Sequence, residues 1–258
     1  MRRVRKLKKV LQGKEAKKVR IDILLAEKGL VESRQKAQAL IMGGKVAVNG
    51  AVISKAGQGV SPESEIFIKE GLPYVSRGGL KLEGALDNFK VDVRGLTVMD
   101  VGASTGGFTD CLLKRGAKRV HAIDVGKGLI DFKLRNDERV HLIEGRNIRY
   151  LKVEEVGEPV DIAVIDVSFI SLKKVIPNVK EFLKPGGGIL ALIKPQFEVG
   201  KGEVGKGGVV RDPEKHRAVI EGVKSFSVEQ GLKPLGVSES PIKGAKGNRE
   251  FWLYLQMD

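Results

Sequence analysis

The chain has 258 residues, 41% of them apolar, enough for one large domain and a small one with a sizeable buried core. A formal net charge of +14 calls for an acidic partner, a nucleic acid or an anionic surface. The single cysteine, Cys111, excludes an intrachain disulfide and a cysteine-built metal site.

No apolar run approaches the roughly 18 residues that span a bilayer, and the N-terminus lacks the apolar stretch of a secretory signal. The expectation is a soluble cytoplasmic protein in a reducing compartment. Residues 1–20 hold ten Lys and Arg against Glu15, a net +9 that leaves +5 for the remainder. Residues 1–18 therefore read as a basic arm, either a solvated tail or an RNA-contacting segment.

Residues 19–69 read as a compact α+β module. Ile21, Leu24 and Leu25 have helical spacing that stops at Gly29. Ser33 suits the N-cap of a second helix carrying Ala37, Leu40 and Ile41, which ends at Gly43-Gly44. Val46, Val48 and Val52 alternate around Asn49-Gly50, a hairpin signal, and Ile66-Phe67-Ile68 supplies a later strand. Residues 70–76 read as a linker, and residues 77–258 as a second domain.

In that second domain apolar strands are predicted over 96–101, 120–125, 140–143, 160–167, 189–193, 235–238 and 251–255, and helices between them, notably over 172–183 and 213–230. Alternating strands and helices imply an α/β fold whose largely parallel sheet binds ligands at the carboxyl ends of its strands.

The first of these strands ends at Asp100 and runs into Val101-Gly102-Ala103-Ser104-Thr105-Gly106-Gly107-Phe108-Thr109, with a helix start behind it. Such a glycine-rich turn lets backbone approach a ligand, although alone it is weak evidence. Asp124, about 20 residues beyond the loop at the end of the next strand, is placed to accept both ribose hydroxyls of an adenosine. Loop and acid together indicate an adenosine-bearing cofactor, with Asp100, Gly102, Ala103, Ser104, Thr105, Gly106, Gly107, Phe108, Asp124 and Val125 as its candidate contacts. The Gly-x-Gly of the dinucleotide pattern is absent, and so is the Gly-Lys-Ser/Thr ending of a phosphate loop, so S-adenosylmethionine fits better than NAD. Asp166 and Lys194 close the fourth and fifth strands, on the edge where ligands bind; a lysine ending an apolar strand is either functional or a stem reaching out to solvent.

The chain resembles the TlyA proteins, also called the hemolysin A family, whose catalytic domain is similar to the FtsJ/RrmJ ribose 2'-O-methyltransferases. Arg20-x-Asp22-x-x-Leu25, Ser33-Arg34-x-x-Ala37 and Val46-x-Val48-Asn49-Gly50 resemble an S4-type RNA-binding domain. Tyr74 to Leu82, Asp100 to Asp110, Ile165 to Ser171, Ile193 to Glu198 and Gly247 to Glu250 carry the catalytic likeness. The resemblance implies a Rossmann-like, class I methyltransferase with a seven-stranded sheet, and it places a Lys-Asp-Lys-Glu tetrad on Lys81, Asp166, Lys194 and Glu250. It further implies cytidine ribose of ribosomal RNA, 16S, 23S or both, as the target, and ribosomal RNA or ribosomal subunits as partners.

In this scheme Lys194, neutral when active, takes the proton of the 2'-hydroxyl; burial and Lys81 favour its neutral form and Asp166 its charged form. Asp166 also faces the cofactor, and Glu250 pairs with Lys81. Methyl transfer from a sulfonium needs alignment and a base more than a metal, and His121, His141 and His216 offer no ligand spacing. Asn147 stands where related enzymes contact adenine, or else braces its own loop. Arg20, Arg34, Lys36, Lys45 and Lys55 are candidate phosphate contacts, any of which could be a plain surface charge. The glycine and lysine loop over 200–208 reads as an RNA clamp or as a flexible loop. The alternatives are a non-catalytic RNA-binding protein and a membrane-active hemolysin.

Overall fold

The computed structural model describes residues 18–69, 72–200 and 202–257, and the chain divides into two compact units, Met1–Gly71 and Leu72–Asp258. Apart from Lys18, the basic arm lies outside the described residues.

The first unit contains β1 (Val19–Arg20), α1 (Ile21–Glu27), α2 (Arg34–Met42), β2 (Val46–Val48), β3 (Ala51–Val52), β4 (Gly59–Val60) and β5 (Ile66–Ile68). Ser33 caps α2 as its sequence position suggested, its hydroxyl accepting from the Lys36 amide at 3.2 Å. The β2–β3 turn has positive φ at both Asn49 and Gly50, as a two-residue hairpin of type I' requires. Ile21, Leu25, Ala37, Ile41 and Val46 are fully buried and form the core between the helices and the small sheet.

The second unit contains α3 (Gly78–Phe89), β6 (Thr97–Val101), α4 (Gly107–Lys114), β7 (Arg119–Asp124), α5 (Phe132–Arg135), β8 (Val140–Glu144), α6 (Val153–Val156), β9 (Val160–Ile165), α7 (Ile176–Lys180), β10 (Leu183–Ile193), α8 (Pro195–Glu198), α9 (Pro213–Glu229), β11 (Leu232–Glu239) and β12 (Phe251–Met257). Its seven strands form one sheet in the order β11-β12-β10-β9-β6-β7-β8, parallel except for β12, which runs antiparallel to both neighbours. The chain winds outward from β6 through β7 to β8, then crosses to β9 on the other side. Between β6 and β9 the order reverses, and a crevice opens there at the carboxyl ends.

Central strands are apolar on both faces because both are covered. Along β9, Ile162 and Val164 join the core under α3 and α4, whereas Ala163 and Ile165 join the one under α7 and α9.

Three expectations need correction. The helix predicted over 172–183 is a 3₁₀ turn, Leu172–Lys174, followed by α7, with Leu183 already in β10. Pro177 lies in the first turn of α7 and has no N–H with which to continue a helix from the turn before it. The linker placed over 70–76 is shorter. Tyr74 is 7% exposed in the second core, its hydroxyl donating to Glu83 at 2.8 Å, and the Val75 amide donates to Asp110 at 2.9 Å. Helix α3, which carries Lys81, has no forerunner in the pattern, because Gly78-Gly79 reads as a break.

Candidate active site

The end of β6 positions the first half of the site. Gly102 has φ +88°, and a Cβ there would stand 2.6 Å from the Asp166 carbonyl oxygen, so only glycine lets this turn lie against the end of β9. The loop then reaches Gly106, φ +91°, which opens α4. One Asp124 oxygen accepts from the Ser104 amide at 2.8 Å and the other from the Gly126 amide at 2.7 Å, so this acid ties the tip of the glycine-rich loop to the turn after β7. Each of its oxygens keeps a lone pair for a further donor.

These loops wall a cavity of about 1050 Å³ lined by Gly102, Ser104, Asp124, Val125, Asn147 and Asp166 among the predicted contacts, with apolar walls from Val101, Ile123, Leu129 and Ile148. Asn147 lines it while capping the 3₁₀ turn Ile148–Tyr150, its Oδ1 accepting from the Arg149 amide at 3.1 Å. Phe108, expected at the cofactor, is a core residue, 3% exposed, with its ring 5.5 Å from that of Trp252. Asp100, Ala103, Thr105, Gly106 and Gly107 stand at the strand end and in the loop without lining the cavity.

Asp100 is fully buried. Thr109 donates to its Oδ2 at 2.7 Å, while Oδ1 has no hydrogen-bond partner among the described residues. Burial, reinforced by the nearby carboxylates of Asp166 and Asp124, pushes its carboxyl up to about 7 against the pull of Thr109.

The second half of the site comes from β9, β10, α3 and β12. Asp166 and Lys194 follow β9 and β10 directly, and the Lys194 Nζ stands 2.6 Å from Asp166 Oδ1 and donates to the Ser168 hydroxyl at 2.9 Å. Lys194 is only 8% exposed. The antiparallel register pairs Ile193 with Phe251, which sets Glu250 opposite Lys194 at the same sheet edge. Glu250, 2% exposed, receives the Lys81 ammonium at 2.6 Å. Two ion pairs thus stand where the four predicted residues converge.

Ser168, Phe169, Glu198 and Asn248 had no assigned role in the sequence. Glu198 accepts from the Ser171 hydroxyl at 2.6 Å and the Leu172 amide at 2.8 Å, stapling the loop after β9 to α8; burial raises its carboxyl above the ordinary glutamate range. Phe169 is 91% exposed at φ +63°, its ring 5.1 Å from Phe197 on the rim of the cavity. Asn248 accepts from the Val210 amide and donates to the Gly208 carbonyl, tying the end of the glycine and lysine loop to the segment that leads through Glu250 into β12. A hydrogen-bonding pattern of this kind has no spacing signature.

In the first unit the candidate RNA contacts divide. Arg20 and Arg34, with Gln38, all donate to the fully buried Asp22, whose carboxyl they hold well below the ordinary range, so these two arginines brace the fold with side chains still half exposed. Lys36, Lys45 and Lys55 are exposed. Among the described residues no group of three or more His, Cys, Asp or Glu side chains could hold a metal ion, and no helix is long and apolar enough to cross a membrane.

Comparison with known proteins bears on the whole described chain. Residues 74–257 match the FtsJ-like methyltransferase family and residues 19–66 the S4 domain. A candidate rRNA methyltransferase of Bacillus subtilis, YqxC, is 47% identical over 93% of this chain and 86% of its own length. The 16S/23S rRNA (cytidine-2'-O)-methyltransferase TlyA of Mycobacterium tuberculosis is 44% identical over 93% of this chain and 91% of its own. A solved Streptococcus thermophilus protein described as a candidate hemolysin superposes with a TM-score of 0.72 at 43% identity, covering 93% of this chain and 89% of that one.

Proposed function

The chain belongs to the FtsJ-like methyltransferase family, with an S4 domain ahead of its catalytic unit, and from that premise we propose that it transfers the methyl group of S-adenosylmethionine to the ribose 2'-hydroxyl of cytidine in ribosomal RNA, 16S, 23S or both. The residues present fit that cofactor. The side-chain-free turn at Gly102, the apolar walls beside Asp124, and the buried, unpartnered Oδ1 of Asp100 suit an adenosine at one end and a cationic amino acid at the other. Asp124 would accept the ribose hydroxyls, and Asp100 would face positive charge.

Bound there, S-adenosylmethionine supplies a methyl already activated by its sulfonium. What the protein adds is alignment and removal of a proton. Lys194 takes the proton of the 2'-hydroxyl as the new O–C bond forms; Asp166 holds its Nζ and stabilises the ammonium that results. Glu250 neutralises Lys81 and keeps a second positive charge from acting on Lys194. Phe169 offers an exposed ring on which a base turned out of its helix can stack, and Lys36, Lys45 and Lys55 meet RNA phosphates. Acting on ribosomal RNA, it would work in the cytoplasm.

The observation that carries this reading is a nearly buried lysine, paired to an aspartate on the cavity wall, at the carboxyl edge of the sheet. Its test is Lys194→Ala, with cofactor binding and RNA binding measured separately from methyl transfer. Binding is expected to persist and transfer to fall by at least about 100-fold, the usual contribution of a general base. Methylation at the wild-type rate would refute the assignment.

A further inference from the structure

A neutral lysine amine has two N–H bonds and one lone pair, arranged tetrahedrally, and it can act as a base only if the lone pair faces the substrate. On a free side chain nothing selects that orientation, since the Nζ rotor turns easily. Here two oxygens stand at the Nζ, Asp166 Oδ1 at 2.6 Å and Ser168 Oγ at 2.9 Å. Only the Ser168 contact has hydrogen-bond geometry, while Asp166 Oδ1 meets the Nζ as a charge; with one N–H held by the serine and the other drawn to the carboxylate side, the remaining tetrahedral direction is left to the lone pair.

The position of Ser168 is set by the segment that bears Lys194. Four contacts join residues 194–198 to the loop after β9: Lys194 to Ser168, the Phe197 ring to Phe169, and Glu198 to both Ser171 and Leu172. Phe169 at φ +63° turns the backbone sharply just past Ser168. The serine is thus held by a loop pinned on its far side by Glu198, and it borders the cavity.

We propose that Ser168 is a positioning residue for methyl transfer, the hydrogen-bond acceptor that, beside the charge of Asp166, orients the Lys194 amine so that its lone pair meets the 2'-hydroxyl. The inference rests on Lys194 being the base. During transfer the S–CH₃ bond breaks, the O–CH₃ bond forms, and the hydroxyl proton passes to Nζ. The resulting ammonium keeps both partners, Asp166 and Ser168, and its third N–H bond lies where the lone pair was.

The test compares Ser168→Ala, Ser168→Thr and Lys194→Ala in the full chain, with S-adenosylmethionine and ribosomal subunits lacking the modification as substrates. Ser168→Ala is expected to lower kcat about tenfold, with KM for both substrates and the thermal midpoint unchanged, because alignment and not binding is lost. The acid limb of its kcat–pH curve moves to lower pH, since an ammonium uses the lost acceptor more strongly than a neutral amine does. Ser168→Thr keeps the acceptor and recovers most of the rate. Wild-type kcat in Ser168→Ala overturns the proposal, as does a raised KM for RNA at unchanged kcat, or a threonine variant as slow as the alanine one. If Lys194→Ala retains methylation, the reading of the base fails and this inference with it; if Lys194→Ala is inactive while Ser168→Ala is wild-type, only the role of Ser168 falls.

Discussion

Replacing Asp100 by asparagine should stabilise the ligand-free catalytic unit at alkaline pH and weaken its hold on the cofactor. The carboxyl is fully buried, has one donor, Thr109, and is held up at about 7. An unfolded aspartate titrates near 4, so between pH 5 and pH 7 the unfolded chain is ionised at this position while the native state still binds a proton. Across that window the native state loses about 1.4 kcal/mol per pH unit through this group, about 3 kcal/mol in all, and above pH 7 the loss is complete. Asparagine copies the protonated form and cannot ionise, so its stability difference from wild type should grow by about 3 kcal/mol from pH 5 to pH 8. Trp252 is the only tryptophan and is fully buried in the catalytic unit, so its fluorescence during urea unfolding reports that unit alone. A difference that is equal at the two pH values would refute the reasoning. Since a cationic ligand needs the ionised carboxylate, cofactor binding to wild type near pH 6.5 should also release protons, detectable by calorimetry in buffers of unlike ionisation enthalpy, and Asp100→Asn should abolish that release.

Other perturbations test other parts of the site. Gly102→Ala forces a side chain into φ +88° and against the Asp166 carbonyl, at about 1–2 kcal/mol of backbone strain; cofactor affinity should drop at least tenfold by calorimetry, and an unchanged affinity would show that the turn has room. Phe169→Gly removes an exposed ring from a left-handed backbone position, so the thermal midpoint should rise by the equivalent of about 1 kcal/mol while methylation of RNA falls and cofactor affinity holds. Lys81→Met or Glu250→Gln alone leaves a nearly buried charge unpaired and should cost about 3–5 kcal/mol in unfolding, whereas the double variant should recover most of it.

Much of the catalytic fold was legible because strands covered on both faces are continuous apolar runs, and each of the seven overlaps its predicted place, although β10 begins six residues before the predicted run. The glycine loop and Asp124 were legible as a strand, turn and acid in order. What the pattern could not carry was adjacency across the sheet. Nothing in residues 251–255 says that β12 inserts between β10 and β11, yet that register alone sets Glu250 opposite Lys194. Lys81 was found through the family likeness, while its helix went unseen. Gly78-Gly79 looks like a terminator, but Gly79 lies against the Tyr74 ring, where a Cβ would collide, and Gly107 against Ser76, so that small residues let α3 meet α4. Arg20 and Arg34 show a second limit, since charge along a sequence says nothing about a buried carboxylate such as Asp22 waiting for it.

The two ion pairs of the tetrad are not equivalent, and their surroundings distinguish the base from its neighbour. Glu250 and Lys81 are 2% and 12% exposed at the side chain, and Gly244 presses so closely on the Glu250 carboxylate that a Cβ would collide with it. Neither member of that pair lines the cavity. Asp166 is 20% exposed and lines the cavity, and its partner Lys194 has a second, neutral acceptor in Ser168 in place of a second carboxylate. The place of Asp166 and Ser168 on the cavity wall therefore favours Lys194 over Lys81 as the proton acceptor, with Lys81 and Glu250 as the buried brace behind it.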